Sequence, residues 1–247
     1  MSQAVTLLSG GLDSVVSTAL AHAQHGVALA LTFDYGQRAA AREISSAARF
    51  CGHWKIPHTV LQLPWLGDIT HTALVQRDQA LPTYDSAALN DLAGQHRSAS
   101  AVWVPNRNGV FLNIAAAYAE THELDWIVTG FNAEEAVTFS DNSAAFVEQT
   151  TAAFQLSTRT HPRVVSYTQA MQKSEIAATA RRLEIPLDWC WPCYEGGAQW
   201  CGRCESCARF QRAMKCAPLR GAGHPLPSPF GEGKGAATRS LHGPRQR

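Results

Sequence analysis

Residues 4–8 (AVTLL) are a short apolar run rich in β-formers. The segment Ser9-Gly10-Gly11-Leu12-Asp13-Ser14 joins it to residues 13–24, whose apolar positions repeat at helical spacing. Paired glycines let the backbone approach a ligand closely, and the start of the following helix offers free N–H groups and a positive dipole end. Ser9 and Ser14 add hydroxyl donors. The segment therefore reads as an anion cradle at the carboxyl end of a strand, where open α/β sheets bind ligands. It lacks the GxxxxGK[ST] spacing of a lysine-assisted phosphate loop. A metal ion is then the expected neutraliser of phosphate charge, with Asp13 its natural ligand. A turn with Asp13 or Ser14 as a simple helix cap is the plainer alternative.

Alternation of strand-like and helix-like segments continues along the chain. Strands are expected at 27–33, 58–63 and 126–129, and helices at 38–51, 109–120, 143–156 and 173–183. Apolar strands alternating with helices predict an α/β fold, a doubly wound parallel sheet covered on both faces. Residues 64–101 are poorly periodic and are expected to be loop or irregular insertion. Residues 217–247 hold 6 glycines and 5 prolines, with five basic residues and one acid. Such a tail buries too little apolar surface to offset its ordering entropy and is expected to be disordered. The formal net charge of +1 thus divides into +4 on the tail and −3 on the body. A body without basic excess gives no support for direct nucleic-acid binding.

Four of the seven cysteines stand as Cys193-x7-Cys201-x2-Cys204-x2-Cys207. Thiolates two residues apart can point at one centre, and four complete a tetrahedral zinc shell with no position left for water. The metal is expected to be structural; an iron–sulfur cluster is the other four-thiolate reading. Cys51, Cys190 and Cys216 are read as bystanders. The N-terminus has no basic n-region and no run approaches membrane-helix length, so neither a signal peptide nor a membrane span is expected. Free thiols then suit a reducing, cytoplasmic setting. The expected division is 1–189 for the α/β unit, 190–216 for the knuckle and a C-terminal helix, and 217–247 for the tail.

Two further motifs sit where strands give way to helices. Phe33-Asp34-Tyr35-Gly36-Gln37-Arg38 brings an acid, an aromatic ring and a guanidinium together, and Arg can grip a carboxylate bidentately. Val104-Pro105-Asn106-Arg107-Asn108 supplies amides and a second guanidinium. Either motif can also be an ordinary helix start with a capping residue.

SGGLDS resembles the pyrophosphate loop of the N-type ATP pyrophosphatases, which cleave ATP between its α and β phosphates. With FDYGQR, VPNRN and the four-cysteine knuckle in the same order, the body is similar to the 7-cyano-7-deazaguanine synthase family. The resemblance implies an adenine nucleotide alpha hydrolase-like fold and conversion of 7-carboxy-7-deazaguanine and ammonia to the nitrile at the cost of two ATP. It implies an ATP loop formed by Leu8, Ser9, Gly10, Gly11, Leu12, Asp13, Ser14, Val15, Val16, Ser17 and Thr18, with Mg²⁺ accompanying the nucleotide. Asp13, Ser14 and Lys173 are the implied catalytic residues. Arg38 and Arg107 are implied contacts to substrate or phosphate, Asp34, Glu135 and Asp141 are candidate substrate contacts, and members of the family often form homodimers. The run from Gly130 to Asn142 departs from the family. Glu135 and Asp141 keep its acidic positions, but Phe139 replaces a tyrosine and Ser140 a proline. A relative that adenylates a tRNA base, and a non-enzymatic knuckle module, are the alternatives.

Overall fold

Five apolar segments lie side by side as parallel strands: β1 (Ala4–Leu7), β2 (Val27–Asp34), β3 (His58–Gln62), β4 (Trp126–Thr129) and β5 (Arg163–Ser166), in the order β3-β2-β1-β4-β5. The structure is a computed structural model that describes residues 3–84 and 92–216. The expected disorder of residues 217–247 lies outside the described residues. Eight α-helices are found among the described residues: α1 (Leu12–Gln24), α2 (Ala40–Trp54), α3 (Pro64–Asp68), α4 (Leu92–Ala101), α5 (Arg107–Thr121), α6 (Ala144–Ser157), α7 (Lys173–Arg182) and α8 (Glu205–Cys216).

The pleat sorts the strand residues into two cores. Val5 pairs with Leu29 and Ile127, and Ile127 with Val164. These four face α5 and α6, against Leu112, Ala116 and Phe154. Ala4, Ala30, Val128 and Val165 face the other way, onto Val16, Leu20, Phe50 and Ile176 of α1, α2 and α7. Strands buried on both sides read as apolar runs rather than as alternating patterns, the mark of a covered parallel sheet. Phe210 and Ala213 of α8 join this second core, so the knuckle's helix packs on the α/β unit.

The doubly wound sheet and all four strands expected from the sequence are present, and α1, α2, α5, α6 and α7 start and stop within three residues of their predicted bounds. The fifth strand, β5, escaped the sequence reading because it is four residues long and its apolar pair Val164–Val165 is flanked by polar residues. Residues 64–101, read as irregular, hold α3 and α4, and residues 69–84 after α3 are turns and extended chain. Strand order reverses between β1 and β4, opening a crevice at their carboxyl ends.

Candidate active site

The loop after β1 is built around Gly10, whose φ of +75° lies in the left-handed region. A Cβ there would also stand 2.5 Å from Ser46 Oγ and 2.9 Å from the Glu43 carbonyl oxygen. The turn brings Ser9 Oγ within 3.0 Å of Ser14 Oγ, while the Gly11 amide donates to Ser9 Oγ at 3.3 Å. Gly11 caps α1 without a side chain, so the first-turn amides have no side-chain cap and face the crevice with the positive end of the helix dipole. Gly130, just past β4, seals the back of the loop: a Cβ there would be 2.5 Å from the Ser14 amide nitrogen.

A cavity of about 270 Å³ opens over this loop, lined by Leu8, Ser9, Gly11, Leu12, Asp13 and Ser14 among others. The rest of the expected ATP loop does not face it. Val15 and Val16 are buried in the core. Ser17 donates to the Thr129 carbonyl and Thr18 is bound to Thr6 at 2.7 Å. One helical turn carries these side chains away from the cavity, and Ser17 and Thr18 hold α1 against β4 and β1.

Asp13, Lys173 and Glu135 meet in the cavity from three different segments. Lys173, in the first turn of α7 and only 6% exposed, donates to Asp13 Oδ2 and to Glu135 Oε1, the latter at 2.6 Å. Asn132 Nδ2 also reaches Asp13 Oδ2, at 3.3 Å. Burial alone would lower the Lys173 pKa, but the two carboxylates outweigh it and hold the ammonium protonated. Burial would raise Glu135, yet the adjoining Lys173 charge leaves it below the usual carboxylate range. Asp13 is different: burial dominates and pushes its carboxyl up to about 6. Two acids against one lysine leave one surplus negative charge, and Asp13 Oδ1 is buried without a hydrogen-bond partner. An unpartnered hard oxygen beside a phosphate cradle fits a divalent cation such as Mg²⁺.

The raised acid has a measurable consequence. Between its unfolded value of 3.8 and about 6, the folded state binds the Asp13 proton more tightly than the unfolded state. On this group's account, stability of the ligand-free protein falls as pH rises through that window. With a cation on the unpartnered Asp13 oxygen, activity would run the opposite way, because the ionised carboxylate is the ligating form. A pH–rate profile of kcat/KM for ATP should rise with pH through an apparent pKa near 6. A flat profile between about pH 5 and about pH 7 would show that Asp13 ionisation is not required.

The implied substrate contacts divide. Arg107, at the start of α5, and Asp141 both line the cavity. Arg107 lies 3.5 Å from the Tyr35 hydroxyl, and the Asp141 carboxyl is raised by burial and opposed by the Arg107 charge. Glu135 lines the same space. Arg38 does not: it donates to Glu195 at 3.2 Å and to the carbonyls of Gln76 and Gln79, tying the knuckle loop to the irregular segment. Asp34 accepts from the Gly36 amide at 3.0 Å and shapes the turn after β2. The neighbours of these two, which were not singled out in the sequence, face the ligand space instead. Gln37 accepts from the Tyr35 amide and donates to Glu43 at 2.8 Å, and all three line the cavity. Phe139, the family departure, has its ring parallel to Trp103, with centroids 6.2 Å apart.

Cys193, Cys201, Cys204 and Cys207 converge, their sulfurs all within 4.8 Å of one another. Amides of Glu195 and Cys201 donate to Cys193 Sγ at 3.3 and 3.2 Å, and that of Cys204 to Cys201 Sγ at 3.3 Å. Such N–H···S contacts suit thiolate ligands, and the chemistry of the set fits a tetrahedral metal. Cys190 stays outside it, buried in the main core with its thiol pushed up to about 12 by burial. The knuckle also walls the cavity, through Trp191, Tyr194, Glu205 and Arg209. Spacing alone gave no sign of this second role.

A glycine- and serine-lined loop at the switch point of a parallel sheet, with a buried lysine bridging two acids, fits an ATP-using α/β enzyme of the ligase class. The chain belongs to the family described as "Queuosine biosynthesis protein QueC", whose sequence profile matches residues 3–217. A relative from Pelotomaculum thermopropionicum, named 7-cyano-7-deazaguanine synthase, is 49% identical over 218 residues, covering 88% of this chain and 99% of its own. Relatives of the same name are 50% identical in Carboxydothermus hydrogenoformans, covering 86% of this chain and 98% of that one, and 46% identical in Methanosarcina mazei, covering 86% and 94%.

Proposed function

We propose that the chain is a ligase that converts 7-carboxy-7-deazaguanine and ammonia to 7-cyano-7-deazaguanine, spending two ATP. The observation that carries this reading is the Asp13–Lys173–Glu135 cluster set against the SGGLDS cradle in one cavity that also holds Arg107. A carboxylate is a poor electrophile. Attack of its oxygen on the α-phosphorus of ATP releases pyrophosphate and leaves AMP on the carboxyl carbon. Ammonia adds there, a proton is lost and AMP departs, giving the amide. The amide oxygen repeats the attack on a second ATP, releasing pyrophosphate; loss of AMP and of both protons on the amide nitrogen yields the nitrile.

The chain's residues serve both rounds by positioning and by charge. The α1 amides with Ser9 and Ser14 hold phosphate oxygens, and Arg107 orients the carboxylate. Lys173, kept protonated by its two acids, stabilises the negative charge that develops as pyrophosphate leaves. Asp13 would hold Mg²⁺, which supplies positive charge at the phosphates. The four cysteines would hold a structural Zn²⁺. In this reading residues 1–189 bear the chemistry and 190–216 are a metal-braced wall, while 217–247 lie beyond both. The enzyme works in the cytoplasm on small molecules and without direct nucleic-acid contact. Among the described residues, no helix is long and apolar enough to cross a membrane.

Incubation with ATP, Mg²⁺, ammonium and the deazaguanine acid tests the assignment. The expected result is AMP formation dependent on the acid, two AMP per nitrile, with the nitrile identified by mass. AMP release only with tRNA would transfer the activity to a nucleic-acid acceptor. No AMP with any acceptor would remove the ligase reading.

A further inference from the structure

Beside the Asp13–Lys173–Glu135 cluster lies a second charged network, to which neither the loop nor the metal site lays claim. Its centre is Arg209 of α8, two residues beyond Cys207, with a side chain only 4% exposed. Arg209 donates through Nε and Nη2 to Glu205 Oε1, at 3.0 and 2.6 Å, and through Nη1 to Glu134 Oε1 at 2.6 Å. Arg212 reaches the same Glu134 oxygen at 2.5 Å. Glu205, itself 2% exposed, is held on its other oxygen by Ser98 of α4. Two arginines and two acids balance, so this network offers no net charge to a ligand. What it does offer is a fixed mechanical link. Glu134 is the backbone neighbour of Glu135, and Glu135 holds Lys173 at 2.6 Å. A path of short, charge-assisted contacts, buried at Arg209 and partly buried at Glu134 and Glu135, thus runs from the cysteine knuckle, through α8, to Lys173.

We infer that Arg209 is a positioning residue: anchored by Glu205 at the foot of α8, it fixes Glu134 and thereby the Glu135 carboxylate that orients Lys173. The knuckle is then a support for the catalytic cluster as well as a brace for the fold. The kinetic side of this inference rests on the proposed ligase reaction; its structural side does not. The geometry is selective in a testable way. Arg209 reaches Lys173 by way of Glu134 and Glu135, so its loss should disturb the chemical step more than nucleotide binding.

The experiment uses the full-length, zinc-loaded protein and its Arg209→Met, Arg209→Lys and Glu134→Ala variants, with kcat and KM for ATP measured separately. Arg209→Met is expected to lower kcat at least 30-fold with KM within threefold of the parent and zinc content unchanged, and Arg209→Lys to recover part of the loss. Glu134→Ala, outside the knuckle, should reproduce the kcat defect and decides the question if Arg209→Met fails to fold. A rise in KM at unchanged kcat, or no change in either, would overturn the inference. Crystal structures of the parent and Glu134→Ala provide the arm independent of substrate. The Lys173–Glu135 contact should open in the variant, and its retention would overturn the positioning role even if the parent proved inactive on the deazaguanine acid. Parent inactivity with an opened contact would instead sink the substrate assignment and leave the positioning role standing.

Discussion

Exchanging Asp13 for asparagine is expected to lower the rate of AMP formation by about 10³-fold, the scale of losing one preorganised electrostatic group, while the melting temperature stays close to the parent's. The two halves of this expectation come from the same burial. Ionising Asp13 in its low-dielectric site is costly enough to push the carboxyl up to about 6, so its negative charge does little for stability. Asparagine keeps the size of the side chain and an oxygen for Lys173 Nζ and Asn132 Nδ2. Lys173 retains its 2.6 Å partner Glu135, so no buried ammonium is stranded. What disappears is the surplus negative charge and the unpartnered Oδ1 to which a cation would bind. Lys173→Met would be a poorer probe, since it leaves two buried carboxylates facing one another and confounds folding with catalysis. Rates and thermal melts of purified Asp13→Asn and parent protein check the claim. Turnover within tenfold of the parent would remove Asp13 from the reaction centre.

Legibility in the sequence followed the range of the interaction. The cradle could be read because glycines, serines and the helix start that form it are consecutive, and every local requirement is met within six residues. The knuckle could be read for the same reason: four thiols within fifteen residues can reach one metal whatever the rest of the chain does. The inward set of the ATP loop could not be separated from the outward set, because only the angle at which α1 packs sends Val15–Thr18 into the core. Asp34 and Arg38 show the limit most directly. In the motif FDYGQR they are the charged residues and attract the functional reading. The turn with φ of +89° at Gly36 sends Arg38 toward Gln76, Gln79 and Glu195, partners up to 157 residues away. Gln37 between them enters the cavity instead. Lys173 was recognised through a family pattern, but its two acidic partners lie 38 and 160 positions away, a distance no periodicity reports.

With zinc at the four cysteines, as proposed, replacing Cys204 by serine or stripping the metal with a chelator is expected to lose fold and function together. Structural zinc contributes roughly 10–16 kcal/mol to small knuckles, comparable with the whole stability of a domain, about 5–15 kcal/mol. In this chain the loss cannot stay local. Cys204 immediately precedes α8 and Cys207 lies in its first turn, so without the metal the helix loses its anchored end. Phe210 and Ala213 of that helix fill the core shared with α1 and α7, and Trp200 packs edge-on against Phe210 at 5.1 Å. Glu205 and Arg209 on the same helix wall the cavity, so a protein that survived with a loosened α8 would still have a broken site. Zinc content by elemental analysis, circular dichroism melting and AMP formation should therefore fall in step across Cys204→Ser, Cys193→Ser and chelated parent protein. A zinc-free variant that melts with the parent and keeps its turnover would show that α8 is held by its apolar face alone.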